Sequence, residues 1–157
     1  MDTKPAGNRE LVITRTLKAS PANLYRCWTE PALMKQWFCP KPWAVSHAEV
    51  DARPGGRSMV VMRSPDGQEF PNAGVYLEAI PGKKLVFTDA FVGDWEPAGE
   101  PFMVGIVTFE DNGDGTTLYT ARVRHWTDDA TQRHEQMGFH EGWSKCAEQL
   151  EELARTL

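Results

Sequence analysis

The sequence predicts an α+β fold, a curved antiparallel sheet of about seven strands wrapped around one long C-terminal helix. Three observations carry this. Strand-like segments follow one another with glycine-bearing turns between them. Helical patterns are confined to a stretch after the first strand and to the C-terminus, and that segregation defines the class. From about Asp128 to Leu157, the residues Phe139, Trp143, Cys146, Leu150, Leu153 and Leu157 recur at spacings of three and four, on one helical face. No second long helix is available to cover that stripe, so it must lie against the sheet.

Met1 to Arg9, with Pro5 and Gly7, reads as a flexible tail, and residues 10–157 as a single domain. Glu10 to Lys18 alternates partially as a first strand. Ser20 is placed as an N-cap with Pro21 at the first helical position, opening a short helix that turns Leu24, Cys27 and Trp28 inward. Glu30-Pro31 breaks it and starts a second short helix through Leu33, Met34 and Trp37, ended by Pro40 and Pro42. Strands are then expected near 44–50, 57–63, 69–79, 85–91, 102–110 and 116–125. Between them stand Pro54-Gly55-Gly56, Pro65-Asp66-Gly67, Pro81-Gly82 and Asn112-Gly113-Asp114-Gly115, which supply the positive φ of tight turns. Such short connections make neighbouring strands antiparallel. The helices interrupt the meander, so the first strand is expected to pair with the last. Residues 93–101 read as a longer loop.

A chain of 157 residues can bury a real core. Its net charge of −5 is spread without basic clusters, which argues against nucleic acid as a partner. No apolar run is long enough for membrane insertion. The polar N-terminus lacks the core of a signal peptide, and three cysteines without metal-type spacing suit reduced thiols in the cytoplasm. A homodimer is compatible with the sequence, although no residue indicates one.

The residues that could carry chemistry are few. His134 and His140 are six apart, a spacing that points them in different directions on a helix, and HExxH is absent, so no metal is expected. No Gly-x-Ser-x-Gly elbow exists, and Cys146 lies within the apolar stripe as a small hydrophobe. No cofactor and no catalytic residue is assigned. The segment 51–57, with Asp51 and Arg53, reads as a turn carrying a charge pair rather than a phosphate cradle, because no helix follows it.

Period two places Ser58, Val60 and Met62 on one strand face, taken as inward, and groups Leu85, Phe87, Asp89 and Phe91 on another. Asp89 is expected at the cavity rim or paired with an arginine, with a buried polar anchor as the sharper alternative. His125 shares its face with Tyr119, Ala121 and Val123. It is read as a core histidine satisfied by backbone, or as a hydrogen-bonding group inside a cavity. Trp28, Trp37 and Trp143 belong to core or cavity wall. Trp43, Trp95 and Trp126 fall in or near loops, as a lid or as a seal.

The order of elements and several local motifs resemble a known group. The motifs are Ala19-Ser20-Pro21 with Leu24, Tyr25 and Trp28; Thr29-Glu30-Pro31 with Leu33 and Trp37; Asp51-Ala52-Arg53-Pro54-Gly55-Gly56-Arg57; and Pro65-Asp66-Gly67. Further along come Gly74-Val75-Tyr76-Leu77-Glu78, Leu85-Val86-Phe87-Thr88 and Gly142-Trp143. The chain thus resembles the START-like superfamily with the helix-grip fold, in the family similar to the C-terminal domain of the activator of the Hsp90 ATPase. That resemblance implies a seven-stranded sheet around the C-terminal helix with a deep cavity between them. It implies no single chemistry, since members bind lipids, hormones or polyketides and some catalyse cyclisation. The co-chaperone's separate N-terminal domain has no counterpart here, so a chaperone interaction is not expected.

The resulting expectation is a domain that binds a small hydrophobic molecule between sheet and helix. The wall would draw on Trp37, Val60, Met62, Phe87, Phe91, Met103, Met137 and Trp143. Polar contacts would come from Tyr76, Asp89, His125 and His140. The alternatives are a cyclase or hydrolase acting on such a molecule, which needs a titratable group in the cavity, and a co-chaperone-like interaction module, which predicts a filled interior.

Overall fold

A computed structural model describes residues 9–157, so the expected tail lies outside the described residues except for Arg9. The elements run β1 (Glu10–Leu17), α1 (Pro21–Thr29), α2 (Pro31–Met34), β2 (Ala44–Val50), β3 (Arg57–Arg63), β4 (Glu69–Ile80) and β5 (Lys84–Thr88). They continue with β6 (Met103–Asp111), β7 (Thr117–His125), α3 (Asp128–Gln136) and α4 (Phe139–Ala154). The strands form one antiparallel sheet in the order β1-β7-β6-β5-β4-β3-β2. The first strand does pair with the last, Ile13 opposite Ala121, and α1 and α2 carry the chain from one sheet edge to the other.

Local chemistry accounts for the boundaries. The Ser20 side chain accepts from the Asn23 N–H at 3.2 Å and Pro21 opens α1, as an N-cap and N1 proline should. Thr127 caps α3 by accepting from the Ala130 N–H at 3.0 Å, with Asp128 and Asp129 set favourably in the first turn. The 51–56 turn holds the Asp51–Arg53 pair at 2.9 Å. Gly55, at φ +82, leaves room for the Trp95 ring: a Cβ there would come within 2.8 Å of it.

Two expectations need correction. The last thirty residues are not one helix: the chain breaks after Met137, and Gly138 adopts φ +93, a left-handed conformation that ends one helix and redirects the next. The strand expected through Phe91 stops at Thr88. Phe91 instead makes an isolated bridge to Pro97 and packs edge-on against Trp95, with ring centroids 5.5 Å apart.

The sheet's inner face and the helices share one core. Alternate residues of β7 (Thr117, Tyr119, Ala121, Val123 and His125) are all buried, and α4 contributes Phe139, Ala147, Leu150 and Ala154. Each large apolar side chain so buried stabilises the fold by about 1.5–3 kcal/mol. Leu157, at the far end of the expected stripe, is exposed because α4 ends before it. Gly105 of β6 stands directly opposite Phe87 of β5, and a Cβ at Gly105 would overlap the Phe87 ring. The ring occupies the space a side chain would otherwise fill.

Candidate functional site: the cavity between sheet and C-terminal helix

A cavity of about 480 Å³ lies between α4 and the inner sheet face. That is within the range of small-molecule pockets, roughly 300–1,000 Å³. The sheet contributes Ser58, Val60 and Met62 of β3, Asn72 to Val75 of β4, Phe87 and Thr88 of β5, and Met103 of β6, with Tyr119 of β7. Helix α4 contributes Phe139, Gly142, Trp143 and Cys146, and α3 contributes His134. Trp28, Trp37 and Phe38 close one end as an aromatic cluster, Trp28 lying 4.9 Å from Trp37 and 5.5 Å from Phe87 between ring centroids. Met137, 76 % exposed, marks the mouth.

Several polar groups on this wall are fixed by the fold. The Trp37 indole N–H donates to the Cys27 carbonyl at 2.9 Å. Gln149 ties α4 to the segment after α2, donating to the Trp37 carbonyl at 2.9 Å and the Cys39 carbonyl at 2.7 Å. Asp89 meets no arginine. Its carboxylate accepts the backbone N–H groups of Phe102 at 2.9 Å and Met103 at 3.1 Å, which anchors the chain entering β6. Burial pushes the Cys146 thiol up to about 12, with Cys39 adding to the effect, so this lining cysteine stays protonated.

The histidines form a chain. His125 Nδ1 lies 2.9 Å from the Arg9 carbonyl, which can only accept, so that nitrogen carries the proton. Its Nε2 lies 2.8 Å from His134 Nδ1. With both rings neutral, His125 Nε2 must accept and His134 Nδ1 must donate. The remaining His134 nitrogen then carries no proton, on a ring that belongs to the cavity wall. Burial, and secondarily the neighbouring His125, pull the His134 pKa down to about 4, so the neutral form prevails at pH 7.

The structure brings Trp37, Val60, Met62, Phe87, Asp89, Met103, Met137 and Trp143 together around the cavity. It places the other four expected residues elsewhere. Tyr76 is buried in the core below the wall, its phenol pushed up to about 12 by burial. Phe91 lies beyond the end of β5 against Trp95. His125 faces α3 and is satisfied by backbone and His134. His140 is exposed beside Glu135 at 3.4 Å. Trp43, Trp95 and Trp126 also stay off the wall, Trp43 packing on Phe70.

Sequence reasoning missed His134, Phe102, Phe139 and Tyr119 as wall residues. The signal was Gly138: read as the end of one helix, it resets the register and turns His134 inward. Among the described residues no group of histidine, cysteine and carboxylate side chains could hold a metal, and no helix is long and apolar enough to cross a membrane.

Comparison with known proteins gives a consistent picture. The family model described as Activator of Hsp90 ATPase homolog 1-like protein matches residues 18–155. Among solved structures, a protein from Nitrosomonas europaea is 41 % identical, with 96 % of each chain covered and a TM-score of 0.91. A Mycobacterium smegmatis protein matches at 24 % identity and TM-score 0.78, covering 98 % of this chain and 95 % of its own. An AHSA1-like protein from Aeromonas hydrophila matches at 17 % identity and TM-score 0.71, covering 94 % and 92 %. The last two show the shared fold alone. No curated protein matches.

Proposed function

From the premise that this chain belongs to the Activator of Hsp90 ATPase homolog 1-like family, we propose that it binds a small, largely apolar ligand between the sheet and α4. One observation carries the reading. The wall there is largely aromatic and aliphatic and encloses about 480 Å³, with the Trp37 indole and the Asp89 carboxylate spent on the protein's own backbone. An apolar wall left in water is costly, so a ligand of matching shape gains by covering it. Met62, Met103 and Met137 supply flexible, polarizable side chains that can repack around different molecules. Three free thiols fit a cytoplasmic site of action.

The other two readings have less behind them. Acid–base catalysis would fall to His134, and a pKa near 4 makes it a weak base at neutral pH. An interaction module calls for a filled interior, which is not what lies beneath α4. Native mass spectrometry of the purified chain tests the proposal. The expected result is a co-purifying mass of small-molecule size that is released on unfolding and reduced in Trp143→Ala. A folded wild-type protein that carries no such mass and shows no saturable binding of a naphthalene-sized fluorophore would sink it.

A further inference from the structure

The aromatic end of the cavity holds one buried hydrogen-bond donor, the Trp28 indole N–H, that the fold leaves without an acceptor, and a phenol, Tyr119, beside it. Trp28 is 2 % exposed and lines the cavity, and its indole nitrogen is the one buried side-chain polar atom among the described residues without a hydrogen-bond partner. The contrast with its edge-to-face neighbour is informative, because Trp37 presents the same group and gives it to the Cys27 carbonyl. Buried indole N–H groups in folded proteins find an acceptor as a rule, so an orphan on a cavity wall points to an acceptor that arrives with a ligand.

Tyr119 stands beside it. The phenol is 2 % exposed and also lines the cavity. Burial raises its pKa, so it keeps its proton, and the nearby Trp28 N–H acts in the opposite, smaller sense. The indole is therefore close enough for Tyr119 to feel, yet the pair does not reach hydrogen-bond geometry. A phenol can rotate its proton toward any acceptor placed between the two rings.

We propose that this end of the cavity is a carbonyl-binding subsite, in which Trp28 Nε1–H and the Tyr119 hydroxyl donate to one ligand oxygen. A carbonyl oxygen has two lone pairs and fits two converging donors. The ligand class follows from what else is present. No lysine or arginine lines the cavity among the described residues, so a carboxylate or phosphate would be buried without a counter-charge. Phe87 and Trp37 flank Trp28 with flat apolar surface. The ligand is then a neutral, ring-bearing ketone, aldehyde, ester or amide. This inference rests on the ligand-binding reading and deepens it.

The test uses the full chain and a matched pair of probes, 2-propionylnaphthalene and 2-propylnaphthalene, which carry a carbonyl and a methylene at the same position. Affinities are measured by calorimetry for wild type, Trp28→Phe and Tyr119→Phe. Trp28→Phe keeps an aromatic ring and removes the donor. It is expected to weaken the ketone about tenfold, the worth of one buried hydrogen bond, and to change the hydrocarbon by no more than about twofold. Tyr119→Phe should act in the same direction. If both variants weaken the two probes alike, or leave both unchanged, the subsite is refuted while the cavity reading stands. If neither probe binds wild type, the cavity reading falls and the subsite with it. Should Trp28→Phe fail to fold, the infrared carbonyl stretch of bound ketone in the wild type decides. A shift to lower frequency than in hexane supports the donors, and a hexane-like band overturns them.

Discussion

Lowering the pH from 7 to 5 should destabilise this protein through His134. Unfolded, the imidazole titrates near 6.5. Folded, burial first and the adjoining His125 second hold it at about 4. A histidine with a depressed folded pKa contributes no penalty above pH 6.5, and stability is then lost as pH falls toward 4, because the unfolded chain takes up a proton that the folded chain refuses. Between pH 7 and 5 the full separation corresponds to about 1.8 kcal/mol. His134 is only half-buried, so solvent screening reduces this to about 1 kcal/mol. The comparison is with His134→Gln, whose amide can still donate to His125 Nε2 but cannot titrate. Urea unfolding followed by tryptophan fluorescence at both pH values gives the difference. Wild type should lose about 1 kcal/mol more than the variant over this interval. Equal losses would refute the argument, since every other titrating group outside this histidine pair is common to both proteins.

Other consequences are as direct. Gly105→Ala drives a methyl group into the Phe87 ring and should destabilise by about 1–3 kcal/mol in urea unfolding, with Phe87→Leu added to the same chain recovering much of the loss. Burial pushes Cys27 and Cys39 up to about 11 and Cys146 to about 12. All three thiols should therefore resist a disulfide reagent at pH 8 in the native protein and react together in denaturant, as followed by absorbance. Ser20→Ala removes the side-chain acceptor for the Asn23 N–H and should cost about 1 kcal/mol, measured as a lower urea midpoint at unchanged slope.

Much of the fold was legible because turns and caps are written in local chemistry. The ends of β2 and β3 follow from Pro42, Pro54, Gly55 and Gly56, and α1 begins where Ser20-Pro21 requires. The inward set Ser58, Val60 and Met62 came from period two alone and all three line the cavity. What failed was long-range. The face shared by Tyr119, Ala121, Val123 and His125 is buried throughout, as alternation implies, yet alternation cannot say that α3 covers its last residue. The helix expected from about Asp128 also ran straight through Gly138, because side-chain spacing is blind to a single reversed φ. Phe91 was lost for a related reason: Asp89, held by two amides of the β6 approach, bends the chain off the sheet before that ring can point inward.

The bare backbone at Gly105 has a meaning beyond its own strand. Because the Phe87 ring rests where a methyl would otherwise project, the depth of the hollow and the soundness of the sheet beneath it depend on one and the same cross-strand couple. A sequence drifting toward a bulkier residue there would shrink the cavity and loosen the framework in a single step. On the ligand-binding reading proposed above, pocket size is tuned more safely at the methionines of the wall than at this couple.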